Sequence, residues 1–131
     1  SLRVTAINTK IYEKNKYKAT ILRWLDGDTV ELLLDLGLRV HVESKFRLGR
    51  LNAPETKMYR GVTLEEKERG LALTDLLKNK VPEETEVLVT VTKKGKYGRY
   101  IIELWFDDEH GELTNLNDWL LNQGLVKEAR Y

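Results

Sequence analysis

The chain has 131 residues, enough for one domain with a hydrophobic core, and contains no cysteine. The missing cysteines exclude disulfides, thiolate metal sites and a thiol nucleophile. Charged residues make up 33% of the chain but the formal net charge is only +1, so nucleic-acid binding would need local clusters of positive charge. No apolar run reaches membrane-spanning length and no signal-peptide pattern opens the sequence, so we expect no membrane contact. The compartment, secreted or cytoplasmic, stays open.

The first part of the sequence predicts strands. Strand-like stretches at 2–12 and 18–25 precede a nearly continuous apolar run from Thr29 to Leu36, which Gly37 ends. The next stretch alternates between two faces, as a strand does. One face carries Val40, Val42, Ser44, Phe46 and Leu48, and the other carries Arg39, His41, Glu43, Lys45 and Arg47.

A helix is predicted after this strand. Thr63 and Glu66 form a capping-box pattern that begins it. Gly70 inside the helix costs about 1 kcal/mol relative to alanine, which indicates close packing or a weak point there. The expected buried side consists of Leu71, Ala72, Leu73, Leu76 and Leu77.

Two further strands and a second helix complete the pattern. Val87, Val89 and Val91 alternate, and residues 99–106 form another strand. The second helix has its N-cap at Thr114 or Asn115 and stops near Gly124. This order predicts an α+β, mainly β, domain over residues 1–131 and favours a closed sheet with helices packed against it.

Polar residues at strand ends and turns suggest a site for a metal ion and a phosphate. Asp28, Asn52 and Glu55 offer hard oxygen donors suited to Ca²⁺ or Mg²⁺. Arg47 and Arg99 each carry a planar fork that matches two phosphate oxygens. Each residue alone has an ordinary explanation, since DGD is common in turns and a strand arginine is usually solvated. Only their joint occurrence supports the functional interpretation.

Several other polar or aromatic residues favour structural interpretations. His41 and His110 are expected to be solvated, because neither has partners that suggest a catalytic triad. Asp26 is expected to stabilise the turn or to support Asp28 from behind. The acidic hairpin at 107–109 is expected to be solvated, and the three tryptophans are expected to pack in or around the core: Trp24, Trp105 and Trp119.

Four blocks resemble the staphylococcal nuclease (thermonuclease) family: in order, DGDTVEL, FRLGRLNAPETK, KKGKYGRY and LNDWLLNQGLVKEA. The similarity runs from about Tyr17 to the C-terminus, and residues 1–16 look like a variant leading segment. The resemblance implies a five-stranded OB-type Greek-key β-barrel with two or three helices. It also implies a Ca²⁺-dependent hydrolase, an endonuclease that cuts DNA and RNA and leaves 3′-phosphate ends. DNA or RNA is then the expected partner of a monomer that needs no obligate protein partner.

The resemblance assigns catalytic roles to three residues. Arg47 matches the arginine that binds the scissile phosphate. Glu55 matches the carboxylate that activates or orients the attacking water. Arg99 matches the second arginine, placed near the leaving oxygen, where it would stabilise the expelled oxyanion.

The resemblance also implies a metal site, from which this chain departs at one position. Asp28 matches a metal-ligand aspartate, Ala53 falls where the family contributes a backbone carbonyl, and Glu55 would reach the metal through water. Where the family usually has a second aspartate, this chain has Asn52. Metal affinity rises with the negative charge of the ligands, so we expect a weaker Ca²⁺ site. Mg²⁺ and Mn²⁺ are alternatives to Ca²⁺ at this site.

Four further residues match substrate-binding positions. Lys96 and Tyr97 correspond to residues that hold a neighbouring phosphate. Arg130 or Tyr131 would stack on a base, and the sequence does not decide between them. Asn117 matches a family asparagine with a structural role. An alternative from another class remains: a non-catalytic module on the same barrel that binds nucleic acid or a protein, with a metal site weakened by Asn52.

Overall fold

Five strands close into a β-barrel in the computed structural model, which describes residues 16–58, 60–95 and 98–129. Chain order gives β1 (Lys16–Trp24), β2 (Thr29–Asp35), β3 (His41–Leu48), β4 (Leu51–Asn52), α1 (Leu64–Lys80), β5 (Glu86–Lys94), β6 (Tyr100–Asp107), β7 (Leu113–Asn115), α2 (Leu116–Asn122) and β8 (Lys127–Glu128). The strand predicted at 2–12 lies outside the described residues.

Closure of the barrel depends on one parallel pairing. The sheet order is β3-β2-β1-β5-β6, with antiparallel neighbours, and β3 then pairs with β6 in parallel from Phe46 opposite Tyr100 to Leu48 opposite Ile102. β7 extends the sheet beside β6, and β4 pairs with β8 in a separate two-stranded sheet. The predicted α+β, mainly β fold, an OB-type barrel with helices packed on it, is confirmed.

The core fills the barrel and the space beneath the two helices of the described part. Alternate residues of each barrel strand point inward, as the period of a strand requires. Helix α1 contributes Leu73 and Leu77, and α2 contributes Leu116 and Leu120. Side chains with no exposed surface include Ile21, Val30, Leu32, Leu48, Val89, Ile102 and Leu104.

The alternating face of β3 is buried at only one end. Phe46 and Leu48 are buried, but Val40 and Val42 are 50% and 40% exposed. The reason lies in the pairing, because residues 41–47 of β3 pair with β2 but only residues 46–48 pair with β6. The tip of the β2–β3 hairpin, where β2 ends and β3 begins, therefore extends beyond the barrel. Nothing in the described chain covers its apolar side chains.

Helix α1 begins as predicted but buries a different stripe. The Thr63 hydroxyl accepts from the Glu66 backbone N–H at 3.1 Å, which confirms the N-cap. The buried residues are Gly70, Leu73, Thr74 and Leu77, at the spacing of one helix face. The prediction that Leu71 and Ala72 are buried was wrong, because these positions are turned towards solvent beside the buried stripe; Leu76 is half-buried.

Helix α2 has Asn115 as its N-cap, so the alternative at Thr114 was wrong. The Asn115 side chain accepts from the Asp118 N–H at 2.8 Å, whereas Thr114 donates to Asp108 in the preceding hairpin. Gly124 follows the helix with φ 71°, a left-handed conformation that favours glycine. No helix in the described ranges is long and apolar enough to cross a bilayer.

Candidate active site

The DGD turn between β1 and β2 is pressed against two other parts of the chain. A Cβ at Gly27 would lie 2.5 Å from Leu73 Cδ2 and 2.8 Å from Ala53 Cβ, so only glycine fits without rearrangement. Within the turn, Asp26 Oδ1 accepts from the Asp28 N–H at 3.0 Å. The two aspartates of the motif are therefore held on either side of a close contact with α1 and the loop after β4.

Asp28 joins three segments of the chain although it is only 7% exposed. Its Oδ1 accepts from the Thr29 hydroxyl at 3.1 Å, and its Oδ2 accepts from the Ala53 N–H at 3.0 Å. Arg47 Nη2 lies 3.3 Å from the same Oδ2. A buried carboxylate needs such partners, because burial without them costs several kcal/mol.

Arg47 is held between two oxygen donors. It lies opposite Thr29 in the register of β2 and β3 and beside Ile101 of β6. Besides the contact with Asp28, its Nη2 donates to Asn52 Oδ1. This chain therefore brings three residues predicted for the metal and phosphate site into direct contact.

Arg99, 70 residues after Thr29 in the sequence, contacts the same site. It immediately precedes β6, and its Nη1 donates to the Thr29 hydroxyl at 3.4 Å. Both guanidinium groups thus converge on the Asp28–Thr29 pair. An open groove of about 390 Å³ also has Arg99 in its wall, so solvent and ligands can reach this arginine.

Glu55 lies on an exposed loop that helix α1 holds in place. Its N–H donates to Glu66 Oε2 at 3.2 Å. Its carbonyl oxygen packs so closely on α1 that a Cβ at Gly70 would lie 2.3 Å from it, which confirms close packing at this glycine. The loop is attached to the Asp28 turn two residues earlier, through the Ala53 N–H. Glu55 is exposed at this corner of the molecule.

Asp26 has an altered acidity. Burial raises its pKa from 3.8 to about 7, and the hydrogen bond and negative charge of Asp28 add to the effect. Two carboxyl groups that share a partly buried turn repel one another when both are ionised. A cation bound beside them would favour their ionised forms.

The oxygen donors at this site are few. Among the described residues, no three His, Cys, Asp or Glu side chains form a group able to hold a metal. What the geometry offers is the Asp28 carboxylate beside the Asn52 amide oxygen, both in contact with Arg47. These are donors of the type that Ca²⁺ and Mg²⁺ prefer, but they carry less negative charge than two carboxylates would.

The four residues predicted to bind substrate lie outside the described residues: Lys96, Tyr97, Arg130 and Tyr131. Sequence reasoning also missed Thr29, which joins Asp28 to Arg99. The signal was present, because Thr29 follows directly in DGDT, but nothing in the sequence indicates that an arginine 70 positions away donates to its hydroxyl.

The acidic hairpin after β6 is a turn built around one carboxylate. Asp108 accepts from the backbone N–H groups of Glu112 and His110 and from the Thr114 hydroxyl, at 2.8 to 3.2 Å. These hydrogen bonds lower the pKa of Asp108, and the bond from the Glu112 backbone has the largest effect. His110 and His41 are both exposed. The structural interpretation of these residues therefore agrees with their contacts.

Comparison with known proteins identifies a family. The family model described as "Staphylococcal nuclease homologue" matches residues 45–131, more than half of the chain. The match includes Arg47, Asn52, Glu55 and Arg99, whereas Asp28 and the DGD turn precede it. No curated protein was found to match the chain.

Proposed function

The chain belongs to the staphylococcal nuclease homologue family, and on this premise we propose that it is a metal-dependent nuclease that hydrolyses phosphodiester bonds of DNA or RNA. The family supports a nuclease-type or nucleic-acid-binding function in general terms. The finer proposal assigns Arg47, Glu55 and Arg99 to catalysis, and Asp28 with Asn52 and the Ala53 carbonyl to the metal.

One observation carries the proposal: two arginines that are far apart in the sequence converge on the buried pair of Asp28 and Thr29. Arg47 lies 3.3 Å from Asp28, and Arg99 lies 3.4 Å from the Thr29 hydroxyl that Asp28 binds. The barrel needs one guanidinium at this point, as the partner of the buried Asp28 carboxylate, but its stability does not need two. A phosphodiester does, because negative charge accumulates on its oxygens as water adds.

The two arginines would have different tasks in hydrolysis. Arg47, whose Nη2 contacts both Asp28 and Asn52, would bind the non-bridging oxygens of the scissile phosphate through its planar guanidinium. Arg99, at the wall of the open groove, would stabilise the oxygen that leaves. It would do so as a charge and hydrogen-bond donor, because a guanidinium does not give up its proton in proteins.

Glu55 would orient the attacking water and accept its proton. Its loop is fixed by Glu66 and by the contact with Gly70, while the residue itself is exposed to solvent. Such a combination of a rigid backbone and an accessible carboxylate suits a general base. When bound, a divalent ion supplies further positive charge that stabilises the phosphoryl oxygens.

A second function is favoured by a contact of Arg47. Its Nη2 donates to Asn52 and lies against Asp28, so an internal cation already satisfies the oxygens proposed to hold the metal. If a divalent ion competes poorly with this arginine, the barrel would bind nucleic acid without cutting it. The groove beside Arg99 would then serve for retention alone.

A cleavage assay separates the two functions. Supercoiled plasmid and a single-stranded oligonucleotide are each incubated with the protein in Ca²⁺ and in EGTA. The nuclease predicts nicking and degradation that EGTA abolishes, and the binding module predicts a gel shift with intact DNA. Lys78→Ala serves as the control variant, because Lys78 is exposed in the last turn of α1 and does not line the groove beside Arg99. If the protein neither cleaves nor binds DNA under any of these conditions, both functions are ruled out.

A further inference from the structure

The turn between β3 and β4 is held by a side chain that carries no part of the proposed chemistry. Arg50 occupies this turn with φ 68°, a left-handed conformation that residues other than glycine seldom adopt. Its carbonyl oxygen accepts from the Ala129 N–H at 2.9 Å, next to the pairing of β4 with β8. Strong contacts must therefore hold the residue in place.

The guanidinium of Arg50 makes these contacts with β6 and α2. Its Nε donates to Glu103 Oε2 at 3.1 Å and its Nη2 to Glu103 Oε1 at 2.5 Å, a bidentate pair. The same Nη2 lies 2.7 Å from Asp118 Oδ1. Isolated surface pairs contribute little, and here the Glu103 side chain is only 15% exposed whereas that of Arg50 is 47% exposed, so water is excluded from the carboxylate end alone and the strength of the contact comes from its bidentate geometry.

Glu103 and Asn117 extend the network to the backbone of the turn. Glu103 also accepts from Asn115 Nδ2 at 3.1 Å and from Asn117 Nδ2 at 3.2 Å. Asn117, fully buried, donates to the carbonyls of Gly49 and Ile102 and accepts from Leu104 N–H. One connected set of hydrogen bonds thus fixes both residues of the 49–50 turn to the barrel.

This turn separates two residues of the proposed site. Arg47 is the second-last residue of β3 and Asn52 belongs to β4. Their side chains form a hydrogen bond across the turn. Ala53, which donates to Asp28, follows directly. Any change in the path of the turn therefore moves an arginine, an amide oxygen and a carbonyl relative to Asp28.

We propose that Arg50 is a positioning residue, whose bonds to Glu103 and Asp118 set the distance between Arg47 and the oxygen donors of Asn52 and Ala53. The inference rests on the proposed nuclease function. Groups that orient metal ligands without touching the metal affect affinity or activity by about 10- to 100-fold when removed. Loss of the contacts of Arg50 with Glu103 and Asp118 should therefore raise the Ca²⁺ concentration needed for half-maximal cleavage.

The test uses Arg50→Lys, Arg50→Ala and the double variant Arg50→Ala with Glu103→Gln. Lysine keeps the charge but loses the fork, and glutamine removes the negative charge that Arg50→Ala would leave without its arginine. Lys78→Ala, which removes an exposed charge from the last turn of α1, is the control. For each variant the thermal midpoint, the Ca²⁺ concentration for half-maximal cleavage and, in EGTA, hydrogen exchange of the Ala53 amide are measured.

A positioning role predicts the functional defect in Arg50→Ala, in the double variant and, because lysine lacks the fork, in Arg50→Lys. We expect an approximately 10-fold rise in the Ca²⁺ requirement, with faster exchange at Ala53 and unchanged exchange at the core residue Val89. A Ca²⁺ requirement and an Ala53 exchange rate that stay at the wild-type level in all three variants, or a change at Val89 as large as that at Ala53, would overturn the inference. If the wild-type protein itself does not cleave, the proposed function fails instead, and exchange at Ala53 still reports whether Arg50 fixes the loop.

Discussion

The Arg99 guanidinium donates to the Thr29 hydroxyl, 3.4 Å from Nη1 to Oγ1, across 70 residues of sequence. The same hydroxyl donates to Asp28 Oδ1. A hydroxyl has one proton to give and lone pairs that accept, so Thr29 can join a cation to an anion without conflict. The sequence-distant halves of the candidate site meet at this residue.

Replacement of Thr29 by valine should impair cleavage without breaking the fold. Valine keeps the shape and β-propensity of threonine, but Asp28 and Arg99 both lose a partner. We expect a loss of about 10-fold in the cleavage rate under single-turnover conditions. Thr92→Val, which removes only a bond to the Ile101 carbonyl, is the control. Equal rates for the two variants would count against the role of Thr29.

Asn52→Asp should strengthen the metal site. It adds a negative charge next to Asp28 and Arg47, and Ca²⁺ affinity rises with the charge of the ligands. We expect the Ca²⁺ concentration for half-maximal cleavage to fall by roughly 10-fold. Asn122→Asp, at the exposed end of α2, adds the same charge elsewhere. The assignment of Asn52 is wrong if both variants respond to Ca²⁺ as wild type does.

Gly70→Ala should destabilise the protein although alanine is the better helix former. Propensity favours alanine by about 1 kcal/mol. The added Cβ would lie 2.3 Å from the Glu55 carbonyl oxygen, so the backbone around Glu55 must move. Overpacking of this kind costs about 1–3 kcal/mol, and we expect a net loss in urea unfolding together with slower cleavage. A gain in stability would show that the Glu55 loop yields easily. Asn79→Ala, exposed in the same helix, reports propensity alone.

Asp26 should make stability fall as the pH rises towards neutrality. Its pKa is about 7 in the folded protein and 3.8 as the reference value, so the folded state holds a proton that the unfolded chain releases. The stabilising contribution is complete below pH 3.8 and disappears as the pH passes through 7. In EGTA, Asp26→Asn should remove this part of the pH dependence, because asparagine imitates the protonated form.

The measurement is the free energy of unfolding in urea between pH 4 and pH 8, for wild type and Asp26→Asn. Relative to Asp26→Asn, the wild-type protein should lose free energy of unfolding between pH 4 and pH 7 and should still be the less stable of the two at pH 8. Parallel curves over this interval would mean that Asp26 titrates normally. Asp108, whose pKa is lowered by hydrogen bonds, acts in the opposite direction and only at lower pH, so it does not interfere.

Local patterns predicted the elements well because each has a local cause. The alternation of β3 and the capping of α1 by Thr63 need only a few neighbouring residues. The buried stripe of α1 was misplaced by sequence reasoning, because Leu71 is as apolar as Leu73 and only packing against the barrel decides between them. Short strands such as β4 and β8 depend on each other and carry no signal of their own.

The candidate site divides in the same way. Asp28 and Arg47 could be proposed from motifs, since their residue types and order are unusual in combination. Their contact could not, because it depends on the register of β2 and β3. The network of Arg50 had no sequence signal, because its partners lie 53 and 68 positions away and look like ordinary surface charges.

The most direct test of the account is the single-turnover cleavage rate, at saturating Ca²⁺, of Arg47→Ala, Arg99→Ala and Glu55→Gln. The central claim is that these side chains act together on one phosphate, so each change should slow cleavage by about 100-fold or more. Lys78→Ala, which removes an exposed charge from the last turn of α1, should cleave at the wild-type rate. If all three variants cleave as fast as wild type, then the arginines that meet at Asp28 and Thr29 have no part in catalysis.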